Sequence, residues 1–227
     1  MKITYLGHGA LHIIWGDTHL VCDPFISGNP LARHINIKDI KADYMLITHG
    51  HEDHVLDAEE IAKHNDATLI SSFEIISWFG KKGLKGHPMN LGGKYSFDFG
   101  TVKYVNAIHS SVLPDGTYGG NPGGFVIWDQ ESCIYIAGDT ALSEDMKLIP
   151  KTCPRLDLAI LPIGDNFTMG YEDAVIASDY IDCNRIMGYH FDTFPPITID
   201  KAKARALFTE HNKELIIPEI GETISLK

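Results

Sequence analysis

The sequence predicts an α/β fold in which helices cover sheets within one compact domain, residues 1–227. Three observations lead there. Short apolar runs bounded by Gly, Pro or Asp recur along the chain as strand candidates. Segments with helical spacing lie between and after them. No linker, repeat or low-complexity tract interrupts a length that is ample for a substantial core.

In chain order, Lys2 to Leu6, Leu11 to Trp15 and His19 to Cys22 read as strands, separated by the turn signals Gly7-His8-Gly9 and Gly16-Asp17. Asp23-Pro24 ends the third, and Tyr44 to Ile47 reads as a buried strand. Asp57 with Glu60 resembles a capping box opening a helix from Ala58 to His64. Phe73 to Lys82, Tyr171 to Ile181 and, most clearly, Ile199 to His211 carry helical spacing. Further strand candidates are Ala67 to Ile70, Thr101 to Ile108, Gly124 to Trp128, Cys133 to Ala137, Leu156 to Leu161 and Arg185 to Tyr189. The Gly-rich piece from Pro114 to Gly124 reads as a surface or active-site loop. It lacks the Lys and the helix signal of a phosphate-binding loop.

Composition narrows the function classes. A net charge of −11 disfavours a nucleic-acid partner, because such binding leans on clustered Lys and Arg. Cys22, Cys133, Cys153 and Cys183 are scattered without a Cys-x-x-Cys pair, so a disulfide scaffold is not expected. The N-terminal apolar run is broken by His8 and His12, which leaves no signal-peptide core, and no stretch approaches a membrane span. A soluble, cytoplasmic protein is the expectation.

Function concentrates in Thr48 to His54, which reads Thr-His-Gly-His-Glu-Asp-His. His49, His51, Asp53 and His54 put three imidazoles and a carboxylate on one turn after a strand. This donor set suits zinc and also manganese, iron or nickel. With no thiolate among the donors, it points to a metal meant for chemistry, since structural zinc sites usually rely on cysteine. Alone, the string also reads as a solvated polar loop. Three distant donors change the balance: His109, Asp139 and His190 each follow a strand candidate, and strand ends bring distant ligands onto a rigid scaffold.

Asp23, His49-Gly-His51-Glu-Asp53-His54, His109, Asp139 and His190 match, in order, the pattern of the metallo-β-lactamase superfamily, which the chain resembles along its full length. The stretches Tyr5-Leu-Gly-His8, Asp23 to Pro30, Gly164 to Gly170 and Thr193 to Pro196 are similar to a smaller branch of metal-dependent hydrolases related to L-ascorbate-6-phosphate lactonase. Members of that branch often read His-Tyr-Asn-Thr where this chain has His190-Phe-Asp-Thr193.

The resemblance implies a four-layer αββα sandwich and two divalent metal ions, zinc first among zinc, manganese, iron and nickel. It implies one metal on His49, His51 and His109, a second on Asp53, His54 and His190, and Asp139 bridging. Asp23 is then expected to hold the ligand loop by hydrogen bonds, and His8 to reach the cavity. The chemistry it implies is hydrolysis by a metal-bound hydroxide, with Asp53 as the candidate catalytic carboxylate and either it or a metal-bound water returning a proton to the leaving group. An ester-like bond in a small metabolite, a lactone or a phosphorylated sugar acid, is the expected target. Two alternatives stand beside it: a phosphodiesterase of the ribonuclease Z type, and a non-catalytic metal-binding sensor or scaffold. The resemblance also raises association of copies of the chain into a homo-oligomer.

Overall fold

The computed structural model describes residues 1–226. The chain divides into two compact units, each discontinuous in sequence. Among the described residues, the first comprises 1–93, 110–122 and 219–226, and the second 94–109 and 123–218.

The first unit holds β1 (Lys2–Gly7), β2 (Ala10–Trp15), β3 (Thr18–Cys22), β4 (Tyr44–Leu46), β5 (Thr68–Ser72) and β6 (Gly86–Met89). Its helices are α1 (Glu52–Val55), α2 (Ala58–Asn65) and α3 (Phe73–Gly80). The second unit holds β7 (Lys94–Phe97), β8 (Gly100–Asn106), β9 (Gly123–Trp128), β10 (Cys133–Ile136), β11 (Leu158–Pro162), β12 (Arg185–Tyr189) and β13 (Glu214–Ile216). With it go α4 (Ile149–Thr152), α5 (Tyr171–Tyr180) and α6 (Lys201–Glu210). Strand β14 (Thr223–Ser225) returns to the first unit.

Both sheets are seven-stranded and built alike. The first runs β14-β1-β2-β3-β4-β5-β6, antiparallel up to β3 and parallel from β3 to β6. The second runs β7-β8-β9-β10-β11-β12-β13, antiparallel up to β10 and parallel from there. A parallel step needs a covered crossover. Helices α2 and α3 supply cover in the first unit, where Ile61, Ala62, Ile75 and Phe79 join Val21, Met45 and Leu69 in one buried cluster. In the second unit, α5 packs on β11 and on α6, burying Ala174, Val175 and Phe208 near the fully buried strands β10 and β11. Each fully buried aliphatic or aromatic side chain stabilises its unit by about 1.5–3 kcal/mol.

Local signals explain the helix starts. Ser72 caps α3 by accepting from Ile75 N–H at 3.3 Å, and Asp200 caps α6 by accepting from Ala202 and Lys203 N–H at 3.1 Å each. The capping box expected at Asp57 does not form. Asp57 precedes α2 with no side-chain cap bond, and its buried carboxylate accepts from the N–H groups of Ile26 and Ser27 and from the Ser27 hydroxyl. Three donors on a distant loop outcompete one cap bond. Among the described residues, no helix is long and apolar enough to cross a membrane.

Candidate metal centre

Topology brings the expected donors to one end of each sheet. Strands β1, β3 and β4 of the first unit share a direction, because β1 and β3 both pair antiparallel with β2 and β4 lies parallel to β3. Their C-terminal ends deliver His8, Asp23 and the turn at His49. By the same logic β8, β10 and β12 of the second unit share a direction and deliver His109, Asp139 and His190. Carboxyl ends of strands are where open α/β sheets bind their ligands.

In the first unit, Asp23 is fully buried and holds the ligand turn. Its Oδ1 accepts from Thr48 N–H at 2.8 Å, and its Oδ2 accepts from the Thr48 hydroxyl at 2.6 Å and lies 2.9 Å from His54 Nδ1. The buried His54 ring is therefore oriented through Nδ1, with Nε2 turned to the opposite side of the ring, the outer-shell arrangement that carboxylates give metal-ligating histidines. His8, also fully buried, places Nε2 3.0 Å from Asp53 Oδ2. Asp23, His49 and His54 offer ligand atoms within 4.8 Å of one another. Three contacts already engage the Asp23 oxygens, and they brace Thr48 and the His54 ring. Burial, and then the charge of Asp23, push the thiol of the neighbouring Cys22 well above its usual range.

Two histidine pairs show what a chelating geometry looks like. His49 Nε2 and His51 Nδ1 are 3.0 Å apart, with ring centroids 4.6 Å apart and planes at 81°. His12 Nε2 and His19 Nδ1 are also 3.0 Å apart, but their centroids stand at 5.2 Å and their planes at 10°. The second pair has nearly parallel planes and the wider centroid separation. The first pair meets nearly edge to face. Two nitrogens about 2.0–2.1 Å from a tetrahedral zinc stand roughly 3.3 Å apart, so His49 and His51 fit a shared metal.

In the second unit one oxygen faces two imidazoles: Asp139 Oδ2 lies 3.0 Å from His190 Nε2 and 3.6 Å from His109 Nε2. Gly138, at φ 68°, makes the turn from β10 into Asp139. His190 itself adopts φ 56°, and in the first unit His8 and Asp23 adopt φ 54° and 43°. Three site residues thus sit in a left-handed region that L-residues disfavour, and such outliers cluster where surrounding structure must hold a functional side chain. Gly164 supports His190 from beside it, since a Cβ there would come within 2.2 Å of the His190 carbonyl oxygen. Gly164→Ala is expected to displace His190, lowering metal content and costing about 2–4 kcal/mol on the scale of an overpacked core. Metal analysis beside chemical denaturation checks it; unchanged metal content would reject the supporting role.

Three parts of the site carry no signal in the sequence. Ser111 Oγ accepts from Gly50 N–H at 3.0 Å, and Ser110 Oγ lies 3.1 Å from His51 Nε2, so the loop after His109 braces the His49-Gly50-His51 turn. Gly119 closes against Ser111, where a Cβ would come within 2.4 Å of the hydroxyl. Thr48 bonds both Asp23 and His49 Nδ1, the latter at 3.0 Å. Serines and threonines in loops are too common to single out before the chain is folded.

Residues 2–190 match the family model described as a beta-lactamase superfamily domain. A UPF0173 metal-dependent hydrolase of Flavobacterium johnsoniae is 59% identical over 226 residues, 100% of each chain. The UPF0173 metal-dependent hydrolase YtkL of Bacillus subtilis is 45% identical over 232 residues, again 100% of both. Among solved structures, Igni18, a novel metallo hydrolase from the archaeon Ignicoccus hospitalis, superposes with a TM-score of 0.89 at 33% identity, covering 100% of this chain and 99% of its own. With the fold, the ordered donors and full-length relatives in agreement, the chain belongs to the metallo-β-lactamase superfamily, among its metal-dependent hydrolases.

Proposed function

We propose that the two donor sets act together on two divalent ions, one on His49, His51 and His109, the other on Asp53, His54 and His190, with Asp139 bridging. The observation that carries this reading is the close approach of His49 Nε2 and His51 Nδ1, 3.0 Å apart with their ring planes at 81°. The single Asp139 oxygen turned to both His109 and His190 supports the bridging role. Two bound ions, zinc first and manganese, iron or nickel as alternatives, would supply a water acidified to a pKa near 7 and Lewis acidity toward a developing oxyanion.

The chain's own residues do the rest. Asp23 and Thr48 lock the imidazoles of His54 and His49 in place. Asp53 returns a proton to the leaving group, and the buried His8 ring 3.0 Å away fixes which carboxylate oxygen faces inward. The reaction is hydrolysis of an ester-like bond in a small metabolite. Between the two expected targets, the lactone is favoured over the phosphorylated sugar acid. The segments 107–111, 137–143, 163–170 and 189–194, which carry or flank the donors of the second unit, contain no Lys or Arg to receive a phosphate. The same lack of cations, with a net charge of −11, weighs against a phosphodiesterase acting on RNA. Four free cysteines among the described residues fit the reducing cytoplasm as its setting.

Chelation followed by reconstitution tests the metal count. Turnover of esters or lactones should vanish on stripping and return as metal approaches two ions per chain. A plateau below one ion per chain overturns the dinuclear site, and metal-replete protein inert toward lactones, esters, thioesters and phosphodiesters would favour the non-catalytic reading.

A further inference from the structure

The segment Gly164 to Gly170, between β11 and α5, is closed on itself. Gly164 and Gly170 form an antiparallel bridge, and Asp165 N–H donates to the Met169 carbonyl at 3.3 Å. Asp165 and Asn166 both adopt left-handed backbone, φ 62° and 58°. Phe167 N–H donates to the Asp165 carbonyl at 2.6 Å, and Asn166 N–H to Asp165 Oδ1 at 2.7 Å. What this constrained loop displays is Phe167, 54% exposed, while Met169 two residues on is buried.

Thr140 ties the loop to the metal donors of the same unit. It follows Asp139 directly, and its carbonyl accepts from Met169 N–H at 2.9 Å. Its hydroxyl accepts from Ile108 N–H at 3.0 Å, and Ile108, 50% exposed, directly precedes His109. Two large apolar side chains are therefore held in the open, each anchored through Thr140 beside a donor. Exposed single apolar residues are ordinary. A phenyl ring raised on a left-handed, self-closed loop is not explained that way, because a polar residue there would leave the fold unchanged and be better solvated.

The charges nearby are Asp165 and Asp192 and one cation, Lys201 on α6, whose ammonium stands 3.4 Å from Asp192 and 5.1 Å from the centre of the Phe191 ring. We infer that Phe167 and Ile108 form an apolar wall that receives the hydrocarbon substituent of an uncharged ester or lactone, and so determine specificity. This rests on the hydrolase reading above and narrows its substrate class.

The experiment compares metal-reconstituted wild type with Phe167→Ala, Phe167→Leu and Ile108→Ala on 4-nitrophenyl acetate, butanoate and hexanoate, and on γ-lactones of matching chain length. Calorimetric titration with acetate, butanoate and hexanoate runs beside it, reading binding without turnover. Wild-type kcat/KM and carboxylate affinity should rise roughly two- to fourfold per added methylene. Phe167→Ala should flatten both series, and Phe167→Leu should keep most of the gain. A flat wild-type series, or an equal slope in Phe167→Ala, overturns the wall while leaving the hydrolase standing. If neither the esters nor the lactones are turned over, the ester-hydrolase reading falls, and the carboxylate titration still decides the wall by the same slopes.

Discussion

Asp53→Ala should lower kcat by about 10²–10⁴, the usual contribution of a positioned acid or base, and by more if a metal is lost with it. The side chain is 31% exposed, and its Oδ2 lies 3.0 Å from the His8 ring nitrogen. Loss of that hydrogen bond to a buried imidazole costs about 1 kcal/mol. For a chain of this size that lowers Tm by roughly 2–4 °C. Folding and catalysis are thus separable at this position, and circular dichroism melts beside steady-state kinetics separate them. Asp53→Asn sharpens the result: it keeps the shape but abolishes proton return, so its kcat should stay low even where metal analysis shows full loading. Retained turnover in a metal-replete Asp53→Asn protein rejects the catalytic role.

Asp23→Ala should be the most destabilising single change in the first unit. Its carboxylate is fully buried and serves Thr48 N–H, the Thr48 hydroxyl and His54 Nδ1 at 2.6–2.9 Å. Each buried donor left without its acceptor costs about 1–3 kcal/mol, so a total of roughly 3–6 kcal/mol is expected after partial rescue by water. Left-handed backbone at φ 43° adds to the cost, because Ala tolerates that region less well than Asp or Asn. Loss of an outer-shell carboxylate should also weaken metal binding by about 10–100-fold. Urea denaturation of the metal-stripped protein isolates the first effect, and competition with a chromophoric chelator measures the second. A variant that unfolds more easily but binds metal as tightly as wild type would show that Asp23 serves the fold alone.

Hydropathy and turn chemistry were enough to find the ten strands β1 to β5 and β8 to β12, and helices α2, α3, α5 and α6. The four strands they do not reveal, β6, β7, β13 and β14, are the four sheet edges. An edge strand has one neighbour and one open side, so little of it needs to be apolar. Strand β7 is largely exposed, and β6 accommodates Pro88, as edges can. The candidate donors were legible because imidazoles and carboxylates at strand ends are chemically conspicuous. The bracing by Ser110, Ser111 and Thr48 was not, because it depends on which loops meet. Asp57 shows a further limit. Its spacing to Glu60 spells a helix cap, yet a loop thirty residues earlier offers three donors at once, and that sum wins.

The pairing of β1 with β14 bears on how the chain is made. Lys2, Ile3 and Thr4 find partners in Ser225, Ile224 and Thr223, so the sheet that carries His8, Asp23 and the His49 turn has an incomplete edge until those residues are synthesised. A nascent chain would hold the histidine turn long before the sheet behind it is closed, with β1 open to pairing with strands of other chains. Contacts this remote in sequence also slow folding, because loop closure must precede their reward. Newly made chains should therefore be most vulnerable to aggregation and to premature metal capture before release of the last strand, a hazard of biosynthesis rather than of the finished enzyme.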